Sequence, residues 1–237
     1  MKFAVIAAGE GSRLKQEGII ESKPLIRLGG EYMLSRLIRI FTKQEASEII
    51  VIVNPQMPDV AGYAHWLKDA GRATCPCTLT VLGKTTPSSM HSFFEMSSFL
   101  GKEPFCLTTV DTIFREEDFG NFINAFHSFT GDALMAVTDY IDDEKPLYVK
   151  TENDMTISGF YDTANNCTYV SGGIYCMKPS VMPTLYKCIA EGQSRMRNFQ
   201  RQLLADGLAV KAWPFSKIID VDHSADIMKA ELFLQTK

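Results

Sequence analysis

The sequence predicts an α/β protein, with a mostly parallel sheet in its first half and an antiparallel hairpin region in its second. Three observations carry this. Five short apolar runs recur through residues 1–140, with stretches of helical character between them, and strands alternating with helices in this way build parallel sheets. The runs are apolar almost throughout, as in strands buried on both faces. After Pro146 the pattern changes to period two, "PLYVKTENDMTISGFYD", the mark of an antiparallel hairpin.

The elements follow in order. Lys2 to Ala8 is the first strand. Tyr32 to Lys43 sets Leu34, Leu37, Ile38 and Phe41 on one stripe and reads as a helix. Glu48 to Asn54 ("EIIVIVN") is the second strand, followed by a helix over Val60 to Ala70. Cys77 to Gly83 is the third strand. Ser88 to Leu100 is a helix with Ser88 or Ser89 at its N-cap. Pro104 to Val110 is the fourth strand and ends at Asp111; Glu116 to Phe129 is a helix and Asp132 to Tyr140 the fifth strand. The hairpin turns around Glu152-Asn153-Asp154. "TYVSGGIYCM" is a further strand, broken by Gly172-Gly173. Helices near Pro179 to Glu191 and Gln193 to Ala205, strand pieces in "LAVKAWPF" and "KIIDVD", and a helix over Ala225 to Leu234 close the chain. No repeat, low-complexity tract or linker interrupts it, so residues 1–237 are expected to form one domain with a mixed second half.

The 237 residues are 46% hydrophobic and 22% charged, enough for a sizeable core. A net charge of −4 speaks against nucleic acid or an anionic membrane as partner; an anion would need a local positive site. Cys75, Cys77, Cys106, Cys167, Cys176 and Cys188 form no Cys-x-x-Cys pair, and His65, His91, His127 and His223 do not cluster with them. Reduced, buried cysteine is expected rather than zinc. The first apolar run is too short for a signal peptide, and no run approaches the ~20 residues of a membrane span. The expectation is a cytoplasmic protein.

The first strand runs straight into Gly9-Glu10-Gly11-Ser12-Arg13. Small residues here let the backbone approach a ligand. Their N–H groups suit phosphate oxygens, and Arg13 adds a positive fork. A dinucleotide fingerprint is excluded because Leu14 stands where the third glycine belongs and "KQEGIIESKP" is no long helix. A Walker loop is excluded because Gly-Lys-Ser/Thr is absent. A plain turn remains the competing reading of the loop taken alone.

The second stretch, "KPLIRLGG" from Lys23, decides between them. "AAGEGSRL" followed by "KPL" resembles the opening of the nucleotidyltransferases that make NDP-sugars and related activated alcohols. The match falls on Ala7, Ala8, Gly9, Gly11, Ser12, Arg13, Leu14, Lys23, Pro24 and Leu25. The resemblance implies a GT-A-like, Rossmann-type three-layer sandwich. Residues 1–140 would bind the NTP, and residues 141–237 would bind the acceptor and close the fold. Ala7, Ala8, Gly9, Glu10, Gly11 and Ser12 would wrap the nucleotide, and Arg13 and Lys23 would hold the pyrophosphate and α-phosphate. Without the resemblance, Lys23 reads equally as a solvated surface lysine.

A carboxylate at the end of a parallel strand lies where α/β folds bind ligands, and Mg²⁺ carried on phosphate takes one or two protein carboxylates. The resemblance makes Asp111 one ligand, although Val110 replaces the family's usual Gly or Asp; the competing reading is a turn or N-cap before Thr112. "KIIDVDHSADIM" resembles the family's late Asp-Val-Asp segment and implies Asp220 as the second ligand, with Asp222, on the same strand face, as the alternative. Ser224 is expected to cap the last helix, and His223 is given no chemistry.

In "GKTTPSSMHSFFEM", Ser88 and Ser89 stand where the family reads the base; either is equally a helix cap. "YVSGGIYCMKP" resembles the family's acceptor-side strand. Gly172 and Gly173 there would admit the acceptor, or else form a β-bulge. Many sugar-phosphate members carry Glu-Lys-Pro just before this strand. Here Glu144-Lys145-Pro146 lies before the hairpin instead and is read as coincidence, which leaves the acceptor open between a sugar 1-phosphate and a small phospho-alcohol such as phosphocholine. Arg195, Arg197 and Arg201 form a basic helix, either a solvated face or a guide for an anionic acceptor.

The function implied is magnesium-dependent transfer of a nucleotidyl group from an NTP to a phosphorylated small molecule, releasing pyrophosphate. A GT-A glycosyltransferase is the first alternative and would show Asp-x-Asp after the fourth strand. A non-catalytic nucleotide-binding regulator would have lost Arg13, Lys23 or an aspartate. A transferase acting on a molybdenum cofactor or an isoprenoid precursor is the remaining one. The nucleobase and the oligomeric state are not legible in the sequence.

Overall fold

Strand β1 (Lys2–Ala7) sends Phe3, Val5 and Ala7 to one face of a sheet and Ala4 and Ile6 to the other, and each face has its own core. This computed structural model describes residues 1–71, 77–142 and 144–236; Cys75 lies outside them. After β1 come α1 (Ser12–Gln16), a 3-10 turn (Lys23–Leu25), β2 (Arg27–Leu28), β3 (Glu31–Tyr32), α2 (Met33–Lys43), β4 (Glu48–Val53), α3 (Pro58–Gly71), β5 (Thr78–Gly83) and α4 (Ser89–Leu100). They are followed by β6 (Phe105–Thr109), β7 (Thr112–Phe114), α5 (Glu116–Ser128) and β8 (Ala133–Thr138). The second half adds β9 (Tyr148–Thr151), β10 (Ile157–Tyr161), β11 (Tyr169–Met177), α6 (Met182–Ala190), α7 (Met196–Ala205), β12 (Val210–Pro214), β13 (Ile218–Asp220) and α8 (Ser224–Gln235).

Nine strands form the main sheet, in the order β10-β9-β11-β6-β1-β4-β5, with β8 pairing β11 and β12. The strands of the first half, β6-β1-β4-β5, are all parallel. β11 reverses direction and runs antiparallel to β6, β8 and β9, so one sheet continues across both halves. Helices α2, α3, α5 and α8 cover one face through residues such as Leu34, Val60, Phe119 and Phe233; α4, α6 and α7 cover the other through Phe93, Leu185 and Phe199. This is a three-layer arrangement.

The regular elements match the sequence reading to within a few residues. Three short strands were not anticipated: β2, β3 and β7 are two or three residues each, too short to show a period. The β2–β3 turn is Gly29-Gly30, both left-handed at φ 59° and 87°, as a tight two-residue hairpin demands. Of the five described cysteines, Cys106, Cys176 and Cys188 are buried; Cys77 and Cys167 are only partly so. The cap of α8 is corrected. Its N-cap is His223, not Ser224, and the Asp226 carboxylate accepts the N–H groups of Asp222 and His223 at 3.2 and 2.8 Å. Among the described residues no helix is long and apolar enough to cross a membrane.

Candidate active site

Gly11 precedes α1 with φ 62°, in the left-handed region, and a Cβ there would lie 3.1 Å from the Lys23 Cβ. Glycine is thus required twice over, and the close approach joins the two motif halves into one site. Lys23 is 8% exposed, which removes the surface-lysine reading. Its ammonium contacts Asp111 Oδ2 and lies 2.5 Å from Asp222 Oδ1. Arg13, on α1, reaches the other oxygen of Asp222 at 2.7 Å. Four charges from the beginning, middle and end of the chain therefore meet in one row of contacts, Arg13–Asp222–Lys23–Asp111.

Burial pushes the Lys23 ammonium down, but Asp111 and Asp222 outweigh it and hold the group above its ordinary range. Burial likewise pushes the Asp111 carboxyl up, while the Lys23 charge and the Thr109 hydroxyl bring it below the ordinary carboxylate range. Both groups are charged at neutral pH. Asp111 Oδ1 is buried and has no hydrogen-bond partner among the described residues. A hard, ionised oxygen in that state suits an oxygen-coordinated cation.

A cavity of about 590 Å³ lies over this row, bounded by Ala8, Gly9, Glu10, Gly11, Ser12, Arg13, Lys23, Ser88, Ser89 and Asp111. Ala7 is not among the residues lining this cavity; its methyl is fully buried in the core with Leu34 and Phe41. Asn54, Thr85 and Thr86 also line this cavity and were missed. Asn54 ends a parallel strand, the position that should have drawn notice. Ser88 caps α4, its hydroxyl bonded to the ring of His91 at 2.9 Å and accepting the Arg195 N–H at 3.3 Å. Ser89 is the first residue of the helix and fronts the cavity.

A second cavity, of about 320 Å³, shares Ser89, Thr109 and Asp111 with the first. Asp220, Gly173, Lys145, Arg195 and Arg197 line it. Asp111 thus fronts the second space with Asp220 and the first with Asp222, which also pairs with Arg13 and Lys23. Lys145, of the Glu144-Lys145-Pro146 read as coincidence, is among the residues that line this cavity. Arg197 and Arg201 are not a solvated face: both pair with Asp162 beyond β10, at 2.5 and 2.8 Å, and Arg197 also donates to the Lys145 carbonyl at 3.0 Å. Gly172-Gly173 is a bulge, where the pairing of β11 with β8 shifts between Ser171 and Tyr175. Gly173 has φ 71°, and a Cβ on Gly172 would meet Ile218 Cδ1 at 2.2 Å.

Behind Arg13 lies a third cavity, of about 530 Å³, lined by Glu17, His223, Glu144 and Lys229 among others. The Glu17 carboxylate meets His223 Nδ1 at 2.5 Å and accepts the Ser224 N–H at 2.6 Å. These bonds, that from His223 first, bring its carboxyl down to about 2. His223, given no role from sequence, is part of the site's frame.

A family model described as the MobA-like NTP transferase domain matches residues 3–206. A protein of Oryza sativa subsp. japonica, described as a probable mannose-1-phosphate guanylyltransferase, is 25% identical over 190 residues; the match covers 77% of this chain and 51% of that protein, so this chain spans about half its length. Two solved structures share the fold. The inositol-1-phosphate CTP transferase of T. maritima superposes with a TM-score of 0.80 at 19% identity, covering 99% of this chain and 95% of that one. A Bacillus anthracis protein described as a glucose-1-phosphate thymidylyltransferase, in complex with a sucrose, gives 0.84 at 18%, covering 100% and 96%. With its glycine loop, Lys23 and strand-end aspartate drawn into one site, and with most of its length matched by the family model, the chain belongs to the MobA-like NTP transferase family.

Proposed function

We propose that the protein is a magnesium-dependent nucleotidyltransferase that joins an NTP to a phosphorylated small molecule and releases pyrophosphate. The observation that carries this reading is Asp111, which fronts both the glycine-loop cavity and the cavity lined by Lys145, Arg195 and Arg197. The NTP occupies the first and the acceptor phosphate the second, so their phosphates meet at Asp111. An acceptor phosphate oxygen attacks the α-phosphorus in line. The bond to the α–β bridging oxygen breaks, and its electron pair leaves with pyrophosphate. The chain supplies no nucleophile; it positions two anions and neutralises them. Arg13 and Lys23 stabilise the leaving pyrophosphate.

Asp111 and Asp220 are the residues proposed to hold Mg²⁺, and the unpartnered Asp111 Oδ1 supports this. The ion would supply charge neutralisation at the phosphoryl oxygens. Among the described residues no three metal-ligating side chains converge, which suits an ion that completes its shell with phosphate and water. The acceptor is a sugar 1-phosphate or a small phospho-alcohol such as phosphocholine, and the relatives' guanylyl, cytidylyl and thymidylyl chemistry leaves the base to experiment. Neither nucleic acid nor membrane is a proposed partner, and the cytoplasm is the proposed location. The test is a pyrophosphate-release screen of four NTPs, with Mg²⁺, against sugar 1-phosphates, inositol phosphate and phosphocholine. At least one pair should turn over; release from none overturns the proposal.

A further inference from the structure

We infer that Glu17 and His223 are positioning residues that hold the phosphate loop in place while Arg13 and Lys23 change partners; this rests on the reading of the site just given. Two ties join residues 12–17 to residues 222–224. The first is Arg13 to Asp222, at 2.7 Å. The second is the Glu17 carboxylate, which takes His223 Nδ1 and the N–H of Ser224, the first residue of α8. A carboxylate at a helix N-terminus gains from the helix dipole as well as from its hydrogen bonds.

The two ties have different fates. Arg13 contacts Asp222 through one guanidinium nitrogen and lines the glycine-loop cavity as well, so a phosphate there competes with Asp222 for it and weakens the first tie. Glu17 fronts the cavity behind Arg13 and does not line the glycine-loop cavity; its bonds persist. Little else holds this segment. α1 has five residues, no side-chain cap, and one buried side chain, Leu14. The His223 ring is held through Nδ1; among the described residues its Nε2 has no hydrogen-bond partner and lies 3.7 Å from Glu144 Oε1. The clasp therefore fixes where the Gly11–Arg13 backbone stands when the nucleotide arrives, without touching the nucleotide.

Calorimetry with ATP, CTP, GTP and UTP, each with Mg²⁺, tests this on the whole protein. Glu17→Ala, Glu17→Gln and His223→Ala each raise the dissociation constant of the best-bound nucleotide about tenfold, the scale of one charge-assisted hydrogen bond. The nucleotide KM rises with it, while the acceptor KM does not. The double variant Glu17→Ala/His223→Ala is no worse than Glu17→Ala alone, because the contact that His223→Ala removes is already lost with the Glu17 carboxylate. His223→Asn, which keeps a nitrogen donor near Nδ1, restores binding. Wild-type affinity in the single variants, or additive losses in the double, overturns the clasp and leaves the transferase reading standing. A wild-type protein that binds none of the four nucleotides overturns both.

Discussion

The ammonium of Lys23 lies 2.5 Å from Asp222 Oδ1, and the same nitrogen contacts Asp111. It bridges two carboxylates that would otherwise face each other. Lys23 is therefore the internal counter-ion of the ligand-free site as well as a proposed phosphate ligand.

Lys23→Met keeps the aliphatic stem and removes the charge. Asp111 is then left without its partner, at a cost of up to about 3 kcal/mol on the scale for breaking a mostly buried ion pair. Turnover falls by about 10²–10³-fold, as when one preorganised donor to developing charge is deleted. Urea denaturation measures the first effect and pyrophosphate release the second. Lys23→Met/Asp111→Asn recovers part of the stability and none of the turnover. Stability in the double variant below that of Lys23→Met would contradict the counter-ion role.

The two late aspartates divide their work in the same geometry. Asp220 fronts the second cavity with Asp111, whereas Asp222 fronts the first with Asp111 and is paired with Arg13 and Lys23. Asp220→Asn should raise the Mg²⁺ concentration needed for half-maximal rate and weaken Mn²⁺ binding to the nucleotide complex, as read by electron paramagnetic resonance. Asp222→Asn should leave the Mg²⁺ concentration at half-maximal rate unchanged, because Asp222 holds Arg13 and Lys23 rather than the metal. The reverse pattern would move the ligand to Asp222.

Gly172 and Gly173 form the bulge of β11. A methyl on Gly172 would meet Ile218 Cδ1 at 2.2 Å and the Ala136 carbonyl oxygen at 3.2 Å. Gly172→Ala should cost about 1–3 kcal/mol, the range for overpacking. Ile218→Val removes the clashing methyl and alone costs about 0.5–1.5 kcal/mol. The double variant should be more stable than the sum of the two losses, a coupling that chemical denaturation measures directly. Gly173→Ala adds a side chain at φ 71°, a strain of about 1–2 kcal/mol that no neighbouring substitution relieves.

What the sequence disclosed and what it hid follow from range. β1, β4 and β6 were legible because burial on both faces forces unbroken apolar runs. The glycine loop was legible because Gly11 must accept both a left-handed backbone and the Lys23 side chain. The partners of Lys23 were a different matter. Its salt bridge to Asp222 spans 199 positions, and no local pattern reports such a contact. The same holds for Glu17 and His223, 206 positions apart, and for Arg197 and Arg201, whose partner Asp162 lies on the far side of β11. The place of Ala7 was hidden for the opposite reason. It sits inside the motif, yet the alternation of β1 turns its side chain into the core, away from the cavity that Ala8 lines.

Asp206 offers a test of stability outside the site. Its carboxylate binds Lys187 Nζ at 2.7 Å, Gln202 Nε2 at 2.7 Å and Thr184 Oγ1 at 2.8 Å, tying the end of α7 to α6. These bonds, led by that from Lys187, bring its pKa from 3.8 to about 2. The folded state thus binds the Asp206 proton more weakly than the unfolded chain does. The stabilisation is fully present above about pH 4 and is lost as pH falls through about 2. Asp206→Asn should therefore lower the melting temperature by a constant amount from neutral pH down to about pH 4. Towards pH 2 the gap to wild type should close, since the protonated wild-type group no longer offers an ionised acceptor. Melting curves of both proteins across that range decide it: a gap unchanged at pH 2 would mean that the charge of Asp206 does not brace the two helices.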